Sequence, residues 1–458
     1  MHMTASEIAS MVGGMVRGSG DVTVSGAEVD SRLVSEGDLF IALPGERVDG
    51  HTFVSTALIR ASAALVRTDM ELPPVPSDRA LIEVDDPLAA YHHLATVDCS
   101  RRSWQVAAVT GSVGKTTTKD FLADILGGHR MTGRTQGNRN STLGLPAQIL
   151  SAAEDTEVFV AEAGMSQPGE LDILGNILQP DVVLYTRIAP AHTEFFDSMD
   201  GIVEAKAELL SHLSPTGILV INQDDSRQSG FGDRTDAEVV GYGTRESVAR
   251  IEDLEDLGLE GSRGTLILHS GTASFLLRIP GLHQAENFLA AAAAAEALGL
   301  QVGDIAGHAE ELTAAAHRGV VLHLHGDITV VDDSYNASPT AMERALEMLA
   351  VSPGRRIAVL GEMLELGPAA ATAHREIGRL AADTCDILLA VGPDTSAALV
   401  EGALEAGLPA DRIHRADLSS DALPILEHLL KPGDTILVKG SRGIALDRVV
   451  SILAEGRS

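Results

Sequence analysis

Cysteine is nearly absent from this chain of 458 residues, which contains only Cys99 and Cys385. A disulfide framework or a cysteine-based metal cluster needs more thiols at closer spacing, so both kinds of site are excluded. We expect the two thiols to be small core residues in a protein that resides in a reducing compartment.

Long hydrophobic runs are also missing. No apolar run approaches the roughly 20 residues that cross a bilayer. The first 14 residues lack the basic start and apolar core of a secretion signal. These two absences predict a cytoplasmic protein.

Basic residues are scarce, because 34 Lys and Arg stand against 65 Asp and Glu, for a formal net charge of −31. Such a charge repels polyanions, so nonspecific binding to nucleic acid or anionic membrane is disfavoured. An anionic ligand must therefore be captured by a local site. We expect a monomer that binds neither nucleic acid nor membrane.

One segment offers such a local site. Residues 109–119 read VTGSVGKTTTK and follow an apolar run. This pattern predicts a buried strand, a glycine-rich turn and a helix start, where backbone N–H groups and Lys115 face a nucleotide phosphate. The turn is shorter than the usual phosphate loop, since Val109 stands where a glycine is expected, but the Thr116 hydroxyl remains available for magnesium. The alternative is a plain strand-to-helix turn with an exposed lysine.

The remaining pattern predicts an α/β protein of three domains. Short β-like runs such as 38–43 and 80–84 suggest a small N-terminal α/β domain, followed by a charged linker at 98–103. Apolar strands that alternate with helices then predict a central, mostly parallel sheet like that of P-loop ATPases, with an added antiparallel hairpin. From near Ala316, four strands each followed by a helix predict a Rossmann-like doubly wound domain. The expected boundaries are 1–101, 102–316 and 317–458.

Candidate metal ligands follow two predicted strands, at the edge where parallel α/β sheets bind ligands. Glu162 ends the apolar run 158–161, and His192 and Glu194 lie in the loop after the next strand. Glu162 is a candidate magnesium ligand, and His192 could bind metal or phosphate. The alternatives are a strand-end acid that faces solvent and a histidine that only spaces the loop.

Lys206 falls in a predicted helix over 201–213. The ordinary interpretation is a solvated helix lysine, because Glu204 and Glu208 lie two residues away on other faces. A rarer option is that the deprotonated amine reacts with carbon dioxide, which gives a carbamate able to ligate metal.

Two polar residues are candidates for nucleotide binding. Asn287 opens an alanine-rich helix, where its amide could read a base edge or could simply cap the helix. Arg318 lies in a presumed hinge, where its planar fork could reach phosphate or could remain a surface linker residue.

Together these motifs resemble those of the Mur ligase family, the ATP-dependent amino-acid-adding enzymes of peptidoglycan synthesis. The family's motifs match at residues 110–119, 162–164, 192–194, 205–208 and 283–287, and the resemblance covers essentially the whole chain. Other stretches resemble the members that add D-alanyl-D-alanine in particular. These stretches are GDLFIALPGERVDGHTF, GNRN, DDSYNASP, GEMLELG and VKGSRG.

The resemblance implies an enzyme that uses ATP and Mg²⁺, with two ions expected. It would join D-alanyl-D-alanine to UDP-N-acetylmuramoyl-tripeptide through an acyl phosphate. Implied catalytic residues are Lys115, Glu162, His192 and Lys206, and implied metal ligands are Thr116, Glu162, His192 and a carbamylated Lys206. Implied ATP contacts are Thr110, Gly111, Ser112, Val113, Gly114, Lys115, Thr116, Thr117, Asn287, Arg318, Asp333, Tyr335 and Asn336. Implied contacts to the UDP-sugar are Ser31, Arg32, Asn138 and Asn140, so the N-terminal domain would bind the UDP-substrate.

Two other functions remain open. A folylpolyglutamate synthase-like ligase would share the phosphate loop but would lack a UDP-binding front domain, and the GDLFIALPGERVDGHTF stretch argues against it. A nucleotide-switch ATPase would leave the loops of the third domain and the Lys206 segment without a role. The third residue of the accepted tripeptide stays open between diaminopimelate and lysine.

Overall fold

The computed structural model describes residues 1–45, 48–71, 74–190, 196, 198–243 and 246–456. These residues form three α/β units, each built on a main sheet of five, nine or six strands. The predicted fold class is therefore confirmed. In the described part, no helix combines the length and apolarity that a membrane crossing requires.

The N-terminal unit is a five-stranded sheet with one antiparallel edge strand. A capped helix and a small two-stranded sheet accompany it. The main strands, in spatial order, are Met15–Gly18, Ala80–Val84, Ala63–Arg67, Asp38–Ile41 and Gly26–Glu28; the small pair is Met3–Thr4 and Thr23–Val24; and the helices are Ala5–Val12, Val54–Ala57 and Pro87–Arg101.

The predicted linker at 98–103 is wrong, because residues 98–101 form the last turn of the helix Pro87–Arg101. Asp98 is buried there and pairs with Arg102 at 3.0 Å, so a charged sequence is stabilised inside the structure. The attraction within the pair offsets part of the desolvation penalty that a single buried charge would carry in full.

The central unit has a nine-stranded sheet, in which the strands from Thr132–Arg134 to Ala249–Asp256 pair in parallel. The last two strands form the expected antiparallel hairpin. In spatial order the strands are Gly271–Leu277, Ser262–Leu268, Ala249–Asp256, Glu238–Gly243, Ile218–Asn222, Val182–Tyr185, Gln105–Thr110, Val158–Glu162 and Thr132–Arg134. The helices are Lys115–Gly127, Gly144–Leu150, Glu170–Leu178, Met199–Ala207, Leu282–Ala297 and Val302–His308.

The C-terminal unit is doubly wound, because separate apolar cores cover the two faces of its six-stranded sheet. Five strands are parallel and the edge strand Val320–Leu324 is antiparallel. The others, in spatial order, are Ile328–Asp333, Asp434–Lys439, Arg355–Gly361, Ile387–Val391 and Ile413–Ala416. The helices are Pro339–Ala350, Ala370–Thr384, Ser396–Glu405, Ser419–Leu429 and Asp447–Gly456.

The three units are not equally independent. One continuous apolar core joins the N-terminal unit to one face of the central sheet, whereas the buried residues of the C-terminal cores all come from its own unit. Cys99 and Cys385 are free and buried in these cores, as expected.

Candidate active site

The predicted strand, turn and helix of the phosphate loop are present. The strand Gln105–Thr110 lies inside the central sheet, and the helix Lys115–Gly127 starts directly after Gly114. Gly111 and Gly114 both have positive φ, at 140° and 90°. A Cβ on Gly111 would overlap Thr186, and one on Gly114 would overlap Asn287. Both positions therefore require glycine for conformation and for space.

Two backbone N–H groups of the loop, predicted to face a phosphate, are bonded within the protein instead. The N–H groups of Ser112 and Val113 donate to the carbonyl oxygen of Arg187, at 2.8 and 3.2 Å. They are already bonded and do not form part of an open cradle. The first N–H groups of the helix Lys115–Gly127 have no partner within the helix and remain available to an anion.

Lys115 lies at the centre of the charges around this loop. Its ammonium donates to the Ser112 carbonyl at 3.2 Å. Desolvation lowers the pKa of Lys115, the Glu162 carboxylate opposes that effect, and Arg318 adds to it. Arg318 belongs to the C-terminal unit, so charges from two units meet at this lysine.

Glu162 ends its strand beside the loop, in parallel register with Val109. Its side chain is buried, so the alternative of a solvent-facing acid is wrong. Asn140 Nδ2 donates to Glu162 Oε1 at 2.6 Å, while Oε2 is buried and has no hydrogen-bond partner in the described part of the chain. An unpaired buried carboxylate oxygen is costly unless a cation engages it.

These donors fit magnesium only together with a nucleotide. The described residues contain no ready-made group of three or more His, Cys, Asp or Glu side chains that could hold a metal. Mg²⁺ in nucleotide sites commonly uses one or two protein oxygens and completes its shell with phosphate and water. Glu162 and the hydroxyl of Thr116, both on buried residues, are suitable donors of that kind.

Lys206 is buried beside the same loop, so the interpretation as a solvated helix lysine is wrong. Its Nζ donates to the Gly111 carbonyl at 2.8 Å. Burial, with a contribution from the nearby charge of Lys115, holds the pKa of Lys206 well below its usual range. The helix that carries it is shorter than predicted, spanning Met199–Ala207 before a 3₁₀ turn over Glu208–His212. The predicted partners His192 and Glu194 lie outside the described residues.

Asn287 lies in the second turn of the helix Leu282–Ala297, so the alternative of a helix cap is wrong. Its amide nitrogen donates to Gln284 Oε1 at 3.0 Å, and Thr118 donates to its oxygen at 3.4 Å. Desolvation, together with nearby positive charges, lowers the pKa of His283, one turn earlier, to about 3 and keeps the ring neutral.

A small cavity beside Asn287 is lined by residues that the sequence analysis missed. Arg187 and Tyr242 come from the central sheet region, Glu286 from the helix, and Arg344 from the C-terminal unit. Glu286 pairs with Arg344 at 2.9 Å and with Arg187 at 3.5 Å. These residues are far apart in the sequence and form no motif, so the sequence could not indicate that the fold of two units brings them together. A larger cleft of about 550 Å³ continues from this cavity between the same units.

The predicted ATP residues of the C-terminal unit lie in one cluster. The Arg318 guanidinium stacks over the Tyr335 ring at 4.2 Å, a cation–π contact. Asp333 pairs with Lys439 at 2.6 Å, and Lys439 also donates to the Asn336 carbonyl at 3.1 Å. Burial raises the pKa of Asp333 despite this lysine.

The predicted UDP-sugar residues lie on two segments that the structure brings together. Asp30 holds Arg32 through its guanidinium at 2.6 Å. Asn138 is exposed and Ser31 is partly exposed, so both are accessible to a ligand. The ion pair between Glu28 and Arg139 joins these two segments.

Comparison with known proteins gives a consistent result. Three family models match: the Mur ligase family catalytic domain at residues 23–97, the Mur ligase middle domain at 109–295, and the Mur ligase glutamate ligase domain at 317–442. UDP-N-acetylmuramoyl-tripeptide--D-alanyl-D-alanine ligase of Bacillus subtilis (strain 168) is 34% identical, and the match covers 99% of this chain and 98% of that protein.

Solved structures agree with this match. A crystal structure of MurF from Acinetobacter baumannii superposes with a TM-score of 0.89 at 29% identity, over 99% of both chains. The MurF ligase of Thermotoga maritima, solved with ADP, has a TM-score of 0.81 at 29% identity and covers 94% of this chain and 97% of its own. Similarity along the whole length of these chains shows that the protein belongs to the Mur ligase family.

Proposed function

We propose that this chain joins the amine of D-alanyl-D-alanine to the terminal carboxylate of UDP-N-acetylmuramoyl-tripeptide and uses ATP to do so. The observation that carries the proposal is the cluster of Lys115, Glu162 and Lys206 around the phosphate loop, which Arg318 approaches from the C-terminal unit. The relatives that match over their full length have this activity in their names.

The chemistry requires two anions to meet. The peptide carboxylate attacks the γ-phosphate of ATP, which gives an acyl phosphate and ADP. The dipeptide amine then attacks the acyl carbon, and the collapse of the tetrahedral intermediate releases phosphate and a proton. Lys115 and Arg318 supply positive charge where the carboxylate and phosphate approach each other. In a desolvated site such charges act more strongly than they would in water.

Magnesium would add charge neutralisation at the phosphates when bound. We propose that Thr116 and Glu162 hold one ion and that His192 and Lys206 hold or position a second. Asn140 orients the Glu162 carboxylate through its amide, which leaves Oε2 free for the cation.

Lys206 would take part as a carbamate. A depressed pKa leaves more of the amine neutral near pH 7, and only the neutral amine can attack carbon dioxide. The amine loses a proton and gains a carboxylate in that step, so the unfavourable charge beside Lys115 becomes a favourable one. The buried position also protects the carbamate from water.

We also propose that Asn287 contacts the adenine, with Tyr335 and Asn336, and that Asp333 contacts the ribose once Lys439 shifts. Ser31, Arg32, Asn138 and Asn140 would contact the UDP-sugar. Domain boundaries near 101 and 316 are supported by the family matches, which leave residues 98–108 and 296–316 between models. Two free, buried cysteines fit a reducing compartment.

The test is phosphate release from ATP with UDP-tripeptide and D-alanyl-D-alanine, supplied separately and together. We expect rapid release only with both, and a pentapeptide product in equal amount. Tripeptides ending in diaminopimelate and in lysine are compared in parallel. Lys115→Ala serves as the control for contaminating ATPases. Equal release with and without the two acceptors would exclude the proposed reaction.

A further inference from the structure

Glu28 is a buried carboxylate at the end of the edge strand Gly26–Glu28 in the N-terminal unit. Its Oε1 accepts the backbone N–H groups of Val29 and Asp30, at 2.9 and 3.0 Å. The side chain therefore shapes the backbone that leads into Ser31 and Arg32, the proposed UDP-sugar contacts. Nothing in the proposed mechanism uses Glu28.

The other oxygen of Glu28 reaches across to the central unit. Glu28 Oε2 pairs with Arg139 Nη1 at 2.8 Å. The Glu28 side chain is 7% exposed and the Arg139 side chain 31% exposed, so the pair is shielded from water on the carboxylate side. A shielded, charge-assisted pair is stronger than an exposed one.

Arg139 lies between Asn138 and Asn140 on a loop that contacts Glu162, the proposed magnesium ligand. Asn140 donates to Glu162 at 2.6 Å, and the Gly164 N–H donates back to the Asn140 carbonyl at 2.9 Å. One short loop therefore contacts the N-terminal unit through Arg139 and the phosphate site through Asn140.

The rest of the loop is held by the N-terminal helix Pro87–Arg101. Tyr91 donates to the Leu143 carbonyl at 2.9 Å, and His92 lies 2.8 Å from the Thr142 carbonyl. These contacts fix the far end of the loop, whereas Glu28 fixes the end next to Asn138 and Asn140. Loss of the Glu28–Arg139 pair would therefore release the substrate end without detaching the loop.

We propose that Glu28 and Arg139 are positioning residues, whose ion pair aligns the segment that contacts the UDP-sugar with the site where the peptide carboxylate is phosphorylated. This inference rests on the proposed function. The ligand concerned is the anionic nucleotide-sugar peptide. The proposed ATP contacts lie on other segments, and Asn140 keeps its own bonds to Glu162 and Gly164 without the pair, so ATP binding should depend little on it.

The experiment compares steady-state kinetics of Glu28→Gln, Arg139→Gln and the double variant. Glu28→Gln keeps an oxygen for the two backbone N–H groups and removes the charge. We expect KM for UDP-tripeptide to rise about tenfold in either single variant. KM for ATP should change less than twofold. The double variant should be no worse than the singles, because both remove the same pair.

Two further variants separate positioning from general damage. Arg139→Lys keeps a positive charge and should recover part of the lost UDP-tripeptide affinity. Arg17→Gln breaks another ion pair of the N-terminal unit, Arg17 with Glu83 at 3.1 Å, and should leave every KM unchanged. If Glu28→Gln unfolds, the partly exposed Arg139 variant still supplies the measurement.

Unchanged KM for UDP-tripeptide, an equal rise in KM for ATP, or fully additive losses in the double variant would each overturn the inference. Failure of the proposed function looks different. In that case the wild-type protein itself shows no release of phosphate that depends on UDP-tripeptide, and no KM can be measured.

Discussion

Lys206 shows why single residues are hard to assign from sequence. Its spacing on a helix predicts a solvated side chain, yet the folded chain places it beside Gly111 and Lys115. The helix Met199–Ala207 shares an apolar core with strands of the central sheet, and no local sequence pattern contains that packing. The position of Glu162 at a strand end could be predicted because the strand Val158–Glu162 is apolar and short. The burial of its side chain could not be predicted from the sequence.

The carbamate proposal leads to a prediction of chemical rescue. Lys206→Ala should lower kcat by about 100-fold or more, since a preorganised charge is lost from the site. Formate or acetate can occupy the space and restore a carboxylate, so a large part of the activity should return as either acid is titrated. Phosphate release measures both effects.

The matched control is Lys115→Ala, which removes a positive charge and should not respond to short carboxylic acids. Full activity of Lys206→Ala without added acid would contradict the carbamate. Rescue of both variants to the same extent would show that the acids act elsewhere.

Gly114 gives a second prediction at this scale. Its φ of 90° and the adjacent Asn287 side chain leave no room for a Cβ. Gly114→Ala should therefore shift the start of the helix and weaken ADP binding by about tenfold or more, measured by calorimetry.

Gly127→Ala in the same helix is the control, because nothing lies within 4 Å of its Cβ position. It should bind ADP normally and gain up to about 1 kcal/mol of stability. Equal ADP affinity in the two variants would contradict this explanation.

At the scale of elements, apolar central strands could be predicted and polar edges could not. The strands Gln105–Thr110, Ile387–Val391 and Asp434–Lys439 coincide with apolar runs of the sequence, because strands buried on both faces of a parallel sheet are almost continuously apolar. The edge strands Thr132–Arg134 and Ile413–Ala416 were missed, since they are short and partly polar. Their pairing with a neighbouring strand stabilises them, and that pairing is nonlocal.

The loop over 361–367 has a role in helix capping. Glu362 Oε1 accepts the N–H groups of Asp394, Thr395 and Ser396 at the start of the helix Ser396–Glu405. Glu362→Ala should lower the free energy of unfolding by about 1–3 kcal/mol, because three backbone N–H donors, of which that of Ser396 is buried, lose their acceptor. Urea unfolding provides the measurement.

Glu362→Gln retains an oxygen and should lose less stability than Glu362→Ala. Glu376→Gln, on the exposed face of the helix Ala370–Thr384, is the control and should stay within about 0.5 kcal/mol of wild type. Equal unfolding midpoints for Glu362→Ala and Glu376→Gln would show that the cap contributes nothing to stability.

At the scale of the whole molecule, the relation between units could not be predicted. Sequence motifs indicate candidate residues within each unit. They do not indicate that Arg318 of the C-terminal unit lies near Lys115 of the central unit. The N-terminal and central units share one core, so the residues proposed to bind the UDP-sugar and the phosphate are held together in one body. The C-terminal unit has cores of its own and can move as a body.

This difference predicts that the C-terminal unit closes on ligand. In the proposed function Arg318 and Lys115 contact the same ATP, and the Glu286–Arg344 ion pair joins the two units in this structure. X-ray scattering should show a larger radius of gyration for the free protein and compaction with ATP and UDP-tripeptide. Absence of compaction in the wild-type protein would contradict closure.

The Glu286–Arg344 ion pair should shift the equilibrium between the open and closed arrangements only slightly. The Glu286 side chain is 48% exposed and the Arg344 side chain 19% exposed. A pair of that kind contributes about 0.2–1 kcal/mol, so Arg344→Ala should raise the ATP concentration at half compaction by up to about fivefold. Added salt should reduce the difference from wild type, since it screens the pair. Arg278→Ala removes an ion pair with Glu310 inside the central unit and should leave the midpoint unchanged. If Arg344→Ala also leaves it unchanged, the binding of ligand alone determines the closed arrangement.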